Sequence, residues 1–143
     1  MQPLAGKPVL DTINYIPERD GRMPELYDVA LSSSEVLQRH LGTAHVVKAF
    51  NNITSGHLAS LARPAGTADR SALPIAGDDP AAKVAVTRFL DAIGYDAVDT
   101  GPLGSGGRRL QFGTRAFVSP YGGLSDERCT PAGVAAIRAA LGL

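Results

Sequence analysis

Apolar and polar positions are distributed along the chain in blocks that predict four β-strands. Short apolar runs occupy residues 9–14, 45–51, 73–79 and 96–102, and each run ends in polar or turn-forming residues. Runs of this kind are typical of strands that are buried on both faces of a sheet. We therefore expect polar side chains to stand where these strands end.

Helix start and stop signals lie between the predicted strands. Ser32 and Glu35 form a capping-box pattern, which predicts a helix that ends at Gly42. A shorter helix is predicted after the second strand, with Thr54 or Ser55 as its N-cap. These helices are placed to connect consecutive strands.

Two further helices are predicted in the second half of the chain. Asp79 followed by Pro80 indicates a helix start, and Thr130-Pro131 indicates the start of the last helix. The apolar stripes expected on these two helices consist of Val86, Phe89, Leu90 and Ile93, and of Val134, Ile137 and Leu141. Strands that alternate with helices predict an α/β fold with a mostly parallel four-stranded sheet and helices on both faces.

Two segments lack a sustained hydrophobic period. Residues 15–31 hold two prolines and an Asp-Gly pair, so we predict an irregular excursion. Residues 104–129 are rich in glycine, and we expect a tail that is pinned to the body by apolar side chains before the last helix. The candidate anchors are Leu110, Phe112, Phe117, Val118 and Tyr121.

Composition narrows the class of protein. The 143 residues favour one domain, with 44% apolar and 20% charged residues. The 14 basic residues balance the 14 acidic ones and aromatic residues are scarce, which argues against a nucleic-acid partner. The only cysteine, Cys129, excludes an intrachain disulfide. No apolar run is long enough for a membrane span and no leader peptide is recognisable, so we expect a cytoplasmic protein without a membrane partner.

Polar and turn residues beyond the predicted strand ends are the candidate binding residues, because ligands of open α/β sheets bind there. They are Asn14, Asn51, Asn52, Gly101, Pro102 and Leu103. The Asn51 amide can both donate and accept, which suits a carboxamide or a ring carbonyl. Alternatively, Asn51 and Asn52 cap the following helix or hold a turn.

Other motifs have simpler structural interpretations. The Asp78-Asp79 pair is better explained as a turn residue and a helix cap than as catalytic carboxylates. Residues 104–107 (GSGG) resemble a phosphate loop but precede no helical pattern, so we interpret them as a flexible turn. Arg108-Arg109 is a candidate for binding a phosphate group, although two adjacent arginines more commonly lie on a solvated surface. The spacing of the three histidines is not that of a metal site.

Three segments together resemble the NADP oxidoreductases that depend on the deazaflavin coenzyme F420. The segments are GKPVLDTINY, HVVKAFNNI and LPIAGDDPAAKVAVTRFLDAIGYDAVDTGPL, and the resemblance covers residues 6–103. It implies hydride transfer between NADP(H) and F420 on a Rossmann-like domain. It also implies that the residues after VVKAF lie near the reacting rings and that the turn Gly101-Pro102-Leu103 lies near the deazaflavin.

The resemblance has one departure, because members of that family begin with a strand, a G-x-G-x-x-G turn and a helix. No such motif stands between a strand and a helix in these 143 residues. We therefore expect residues 1–103 to be the second half of a Rossmann-like NAD(P)-binding domain in a truncated chain, and residues 104–143 to be a tail and helix packed on it.

Three functions follow from this interpretation. The chain is a reductase that needs its missing half, a non-catalytic module that binds a cofactor, or a structural and assembly protein. The strand carrying VLDTIN would have an unpaired edge in the absence of the first half. We expect either that residues 15–31 fold over this edge or that a second chain pairs with it, as a homodimer or as a separately encoded nucleotide-binding half.

Overall fold

The computed structural model describes residues 2–27, 31–125 and 128–143 and contains one four-stranded sheet. The strands lie side by side in chain order: β1 (Pro8–Asp11), β2 (His45–Lys48), β3 (Ala72–Gly77) and β4 (Asp96–Asp99). β1 pairs with β2 and β3 pairs with β4 in parallel, whereas β2 and β3 are antiparallel. The predicted α/β class with a mostly parallel sheet is confirmed. The strands are shorter than predicted, so the candidate polar residues lie in the loops that follow them.

Seven α-helices accompany the sheet in the described part of the chain. They are α1 (Pro17–Asp20), α2 (Pro24–Tyr27), α3 (Ser33–Leu41), α4 (Ser55–Ser60), α5 (Pro80–Ala92), α6 (Gly106–Arg109) and α7 (Val134–Leu141). Residues 15–27 therefore contain two single helical turns, and the prediction of an irregular excursion was wrong there; residues 28–30 lie outside the described residues. None of these helices is long and apolar enough to cross a bilayer.

The predicted helix caps are largely confirmed. Ser32 Oγ accepts a hydrogen bond from Glu35 N–H, and the Glu35 carboxylate accepts one from Ser32 N–H at 2.7 Å. Asp79 caps α5 through Ala82 N–H at 2.7 Å. Of the two alternatives for α4, Thr54 is the N-cap.

The predicted start of the last helix at Thr130-Pro131 was wrong. Thr130 N–H donates to the Tyr121 carbonyl, and Ala132 O accepts from Ala72 N–H at 2.8 Å, so this stretch is held along the body of the protein. The helix begins only at Val134, after Gly133. Tertiary contacts therefore delay the helix beyond its local start signal.

The lengths of the connecting helices explain the strand directions. α5 has 13 residues and is about 20 Å long, enough to return the chain to the start of a parallel strand. α4 has only six residues and spans about 9 Å, so it does not carry the chain back along the sheet. β3 therefore starts beyond the end of β2 and runs back in the opposite direction, so that its last residues pair with the last residues of β2.

Helices cover both faces of the sheet, as predicted. A Cβ atom at Gly77 would lie 3.2 Å from Lys83 of α5, whereas Asp11 of β1 contacts Ser34 of α3 on the other face. α6 and α7 also contact the sheet, and Arg109 joins them by donating to the Leu141 carbonyl at 3.1 Å. The core is therefore made from residues of the sheet, α5 and the tail together.

The predicted apolar stripes are only partly buried. Val86, Leu90, Ile137 and Leu141 belong to the core, whereas Phe89, Ile93 and Val134 are exposed. Phe89 instead packs edge-on against Phe50, with ring centroids 6.3 Å apart. Of the predicted tail anchors, Leu110, Val118 and Tyr121 are buried, Phe117 is half-buried and Phe112 is exposed.

Candidate functional site

Two asparagine side chains meet where the parallel strands β1 and β2 end. Asn14 Nδ2 donates to the Asn51 carbonyl at 2.7 Å, and Asn51 Nδ2 donates to Asn14 Oδ1 at 3.0 Å. Because β1 and β2 point in the same direction, the loops after them lie side by side. The structure thus brings together two of the residues predicted from the sequence.

The hydrogen bonds of Asn51 limit what this side chain can offer to a ligand. Its Nδ2 group also donates to the Leu110 carbonyl at 2.5 Å, so both amide protons are used within the protein. Its Oδ1 atom is buried and has no hydrogen-bond partner among the described residues. The sequence suggested a side chain that both donates and accepts; in the structure only an acceptor remains.

The backbone before Asn51 has an unusual conformation. Phe50 has φ of +65°, a left-handed conformation that bulky residues rarely adopt. Such strain, of order 1–3 kcal/mol, persists only where surrounding contacts hold it in place. Here the Asn14 and Leu110 hydrogen bonds fix the next residue, Asn51, so that its side chain points between the two loops and the tail.

Asn52 serves the packing of the tail. It is fully buried, its Nδ2 donates to the Ala116 carbonyl at 3.2 Å, and its own carbonyl accepts from Val118 N–H at 3.0 Å. It does not cap α4, because Thr54 has that role. Asn52 therefore links the end of β2 to residues 116–118 of the tail.

Gly101, Pro102 and Leu103 do not join the asparagine pair. They follow β4, which runs opposite to β1 and β2, and the Gly101 carbonyl accepts from Gly77 N–H, which is level with Val47 of β2 rather than past its end. The mostly parallel sheet expected from the sequence puts all six candidate residues at strand ends, but the reversal of β3 and β4 separates this turn from the asparagines.

The polar groups of this turn are occupied by internal hydrogen bonds. Leu103 N–H donates to Asp78 Oδ1 at 2.9 Å, and the Leu103 carbonyl accepts from Ser32 Oγ at 3.0 Å. The Pro102 carbonyl accepts from Gly106 N–H at 2.7 Å and from Gly107 N–H at 3.2 Å. Asp78 is thus a turn residue, and the turn fastens the start of α3 to the sheet.

The hydrogen bonds from Gly106 and Gly107 to Pro102 involve residues 104–107, which we interpreted as a flexible turn with no helix after it. The structure corrects that interpretation, because the segment enters the short helix α6 and both Gly106 and Gly107 are buried. A Cβ atom at Gly106 would lie 2.6 Å from the Thr100 carbonyl oxygen, so the glycine permits a close approach to the residue that follows β4. Since these amides already bind Pro102, they do not form a cradle for phosphate.

A buried charged network, which was not predicted from the sequence, lies beside the asparagine pair. Lys48 Nζ lies 3.2 Å from Asp11 Oδ2, and each side chain is 1% exposed. Ser34 Oγ donates to the same carboxylate oxygen, Lys48 Nζ donates to the Ile13 carbonyl at 2.9 Å, and Ile13 N–H donates to Asp11 Oδ1. Burial lowers the pKa of Lys48, while the Asp11 carboxylate opposes this shift. The sequence signal for this network was a charged residue within each of two predicted strands, Lys48 in one and Asp11 in the other.

Two open cavities adjoin the loop that leads from β1. One has a volume of about 440 Å³ and lies between residues 13–26 and the outer face of α3. The other has a volume of about 300 Å³ and lies between the same excursion and the tail, where Arg108, Gln111 and Phe112 line it. Tyr15 and Leu26 line both cavities and so separate them. The second cavity lies on the side of Leu110, the residue that Asn51 contacts.

The remaining candidate groups have structural partners. Arg109 holds the end of α7, and Arg108 lies 3.9 Å from the Glu35 carboxylate. Within residues 2–27, 31–125 and 128–143, no three His, Cys, Asp or Glu side chains are grouped as a metal site would require.

Comparison with known proteins gives structural matches alone. No protein-family model matches the chain, and no curated protein matches its sequence. A hypothetical protein from Sinorhizobium meliloti is 29% identical with a TM-score of 0.63, covering 76% of this chain and 51% of its own. A proposed F420-dependent NADP reductase from Arthrobacter sp. FB24 is 29% identical with a TM-score of 0.54, covering 71% of this chain and 46% of its own. The chain thus spans about half the length of these structures and is similar to that part of them.

Proposed function

We propose that this chain is the ring-contacting part of an oxidoreductase that transfers hydride between NADP(H) and F420 or a related acceptor. The observation that carries the proposal is the buried, unpartnered Oδ1 of Asn51 at the end of β2. The similarity to a proposed F420-dependent NADP reductase supports the choice of cofactors. The activity of a whole reductase is proposed for this chain from a match to about half of that protein's length.

The ring portions of both cofactors fit the chemistry of Asn51. The nicotinamide carboxamide and the deazaflavin ring each carry N–H groups, and Asn51 Oδ1 is an acceptor without a donor. Bound together, the two cofactors supply the hydride and its acceptor, so the protein needs no nucleophile. The role of Asn14 is to hold Asn51 in orientation, because both polar ends of its side chain bind Asn51.

The pyrophosphate portion of NADP(H) does not fit the residues present. The amides of Gly106 and Gly107 are already bonded to Pro102, and no G-x-G-x-x-G turn stands between a strand and a helix in the sequence. We therefore propose that a phosphate-binding turn has to be supplied by a polypeptide outside residues 1–143 for the full reaction. No step of the reaction is assigned to phosphate contacts within this chain.

Fluorescence titration of the purified chain with F420 and, separately, with NADPH tests this proposal. We expect F420 to bind, NADPH to bind weakly or not at all, and Asn51→Ala to weaken F420 binding about tenfold, since a lost hydrogen bond of about 1.4 kcal/mol corresponds to that factor. Asp79→Ala is the matched control, because it removes a helix cap away from Asn51 and should leave F420 affinity unchanged. If neither cofactor binds, the proposal fails.

The second candidate is a cofactor-binding or assembly module without catalysis. It is favoured by the internal use of the Gly106 and Gly107 amides, because the glycine-rich segment 104–107 then offers no phosphate cradle. This candidate is supported if F420 binds but NADPH does not reduce it, even after a dinucleotide-binding domain carrying G-x-G-x-x-G is added. Reduction under those conditions would support the reductase.

A further inference from the structure

β1 forms one edge of the sheet, and its outer side carries backbone groups without strand partners. No fifth strand pairs with it in the described part of the chain. The Lys7 carbonyl accepts from His45 N–H of β2 and the Asp11 carbonyl accepts from the N–H of Ala49, just after β2. Alternate residues of a strand direct their backbone groups to the same side. The N–H and carbonyl of Leu10 and the carbonyl of Pro8 therefore point away from the sheet.

Pro8 restricts how another strand can pair with this edge. It has no N–H, and its carbonyl faces outward, so an antiparallel arrangement centred on Pro8 lacks its central donors. An arrangement centred on Leu10 has both of them, because each Leu10 offers one outward donor and one outward acceptor. Thr12 N–H of each strand would then lie opposite the Pro8 carbonyl of the other. The edge is thus complementary to itself in one register.

Of the features that usually protect an edge strand, β1 has a proline and a short length but no charge at its outward positions. Proteins commonly protect an edge strand with lysine or other charged residues. Here the outward positions are Pro8, Leu10 and Thr12, all uncharged and all exposed, with Leu10 37% exposed. The formal net charge of the chain is +0, so two copies do not repel each other through their overall field.

We propose that a second copy of this chain binds the β1 edge, as an antiparallel pair of β1 strands related by a twofold axis at Leu10. The two Leu10 residues exchange reciprocal backbone hydrogen bonds, and their side chains contact each other on the face of the sheet that α5 covers. The pairing joins two four-stranded sheets into one continuous sheet. The inference concerns the isolated chain and does not depend on the proposed function.

Light scattering coupled to size exclusion, at a series of micromolar concentrations, tests the proposal. We expect the wild-type chain to reach twice its mass of 14.9 kDa. Leu10→Pro removes the outward N–H without removing a bond to β2, since those bonds come from the neighbouring residues, and it should give a folded monomer. Leu10→Lys places like charges at the axis and should also give a monomer, with association recovering at high salt.

Leu10→Val is the matched control, because it keeps the outward N–H and an apolar side chain and should remain dimeric. Circular dichroism establishes that each variant is folded. A wild-type chain of 14.9 kDa at every concentration would overturn the proposal. A dimer that survives both Leu10→Pro and Leu10→Lys would overturn it as well, because the contact would then lie elsewhere.

Discussion

At the scale of single residues, the main feature is the buried network of Asp11, Lys48 and Ser34. Removing two charges from water is costly, and their attraction offsets that cost only when further hydrogen bonds satisfy both groups. Here Ser34, the Ile13 amide and the Ile13 carbonyl provide those bonds. Because two of them involve Ile13, the network also fixes the loop that brings Asn14 to Asn51.

Lys48→Met should destabilise the protein by about 3–5 kcal/mol, since it leaves the Asp11 carboxylate buried without its cation. The double variant Asp11→Leu/Lys48→Met should be less destabilised than Lys48→Met, because no unpaired charge remains. Urea denaturation followed by circular dichroism measures both free energies of unfolding. A double variant that is less stable than the single variant would show that the pair stabilises the fold in itself.

At the scale of elements, the connecting helices determine the site through their ends and lengths. Ser32 caps α3 and its hydroxyl also donates to the Leu103 carbonyl, so one side chain joins the helix start to the turn after β4. Asp79 caps α5 through Ala82 N–H. Both residues carry an N-cap signal in the sequence, but in the structure Ser32 also bonds a residue far along the chain.

Ser32→Ala should therefore cost more stability than Asp79→Ala. The loss of a cap alone is worth about 1 kcal/mol, which is our expectation for Asp79→Ala. Ser32→Ala also leaves a buried carbonyl without a donor, which raises its expected cost to about 2–3 kcal/mol. Thermal or urea unfolding of the two variants side by side gives the comparison, and equal losses would refute the role of Ser32 at Leu103.

At the scale of the whole molecule, two buried tyrosines join the tail and the helices to the sheet. Tyr121 donates to the Ala72 carbonyl at 2.7 Å, and Tyr95 donates to the Leu58 carbonyl at 2.5 Å. Burial raises the pKa of Tyr95 to about 12 from 10.0, and burial also raises the pKa of Tyr121. Both hydroxyls thus remain protonated in the folded state where unfolded tyrosines ionise.

These shifts predict a loss of stability at alkaline pH. Above about pH 10 the unfolded state binds fewer protons than the folded state, so the free energy of unfolding falls as pH rises towards about 12. Denaturant unfolding at about pH 9 and about pH 11 should show this fall, and Tyr95→Phe should make it smaller. The difference between wild type and Tyr95→Phe removes the separate effect of Lys48, whose lowered pKa acts in the opposite direction. An unchanged fall in the variant would contradict the assignment to Tyr95.

Local signals predicted much of the fold and part of the site. The caps at Ser32 and Asp79 depend on a few neighbouring residues, and the structure has both. The pairing of Asn14 with Asn51 followed from the parallel strands that precede them. By contrast, the expected start of α7 at Thr130-Pro131 failed because that stretch bonds to Tyr121 and β3 instead.

The sequence by itself determined the α/β alternation, the order of the elements and the helix boundaries that glycine and capping residues mark, because these depend on contacts within a few residues. The tertiary structure decided the direction of β3, and with it which loops share one end of the sheet. It also decided that Asn51 has only its Oδ1 acceptor left for a ligand and that Lys48 is buried against Asp11. The hydrogen-bond partners of Asn51 and Lys48 lie 37 to 59 residues away in the chain. Hydrogen bonding and burial at that separation depend on how the whole chain packs, which no local pattern records.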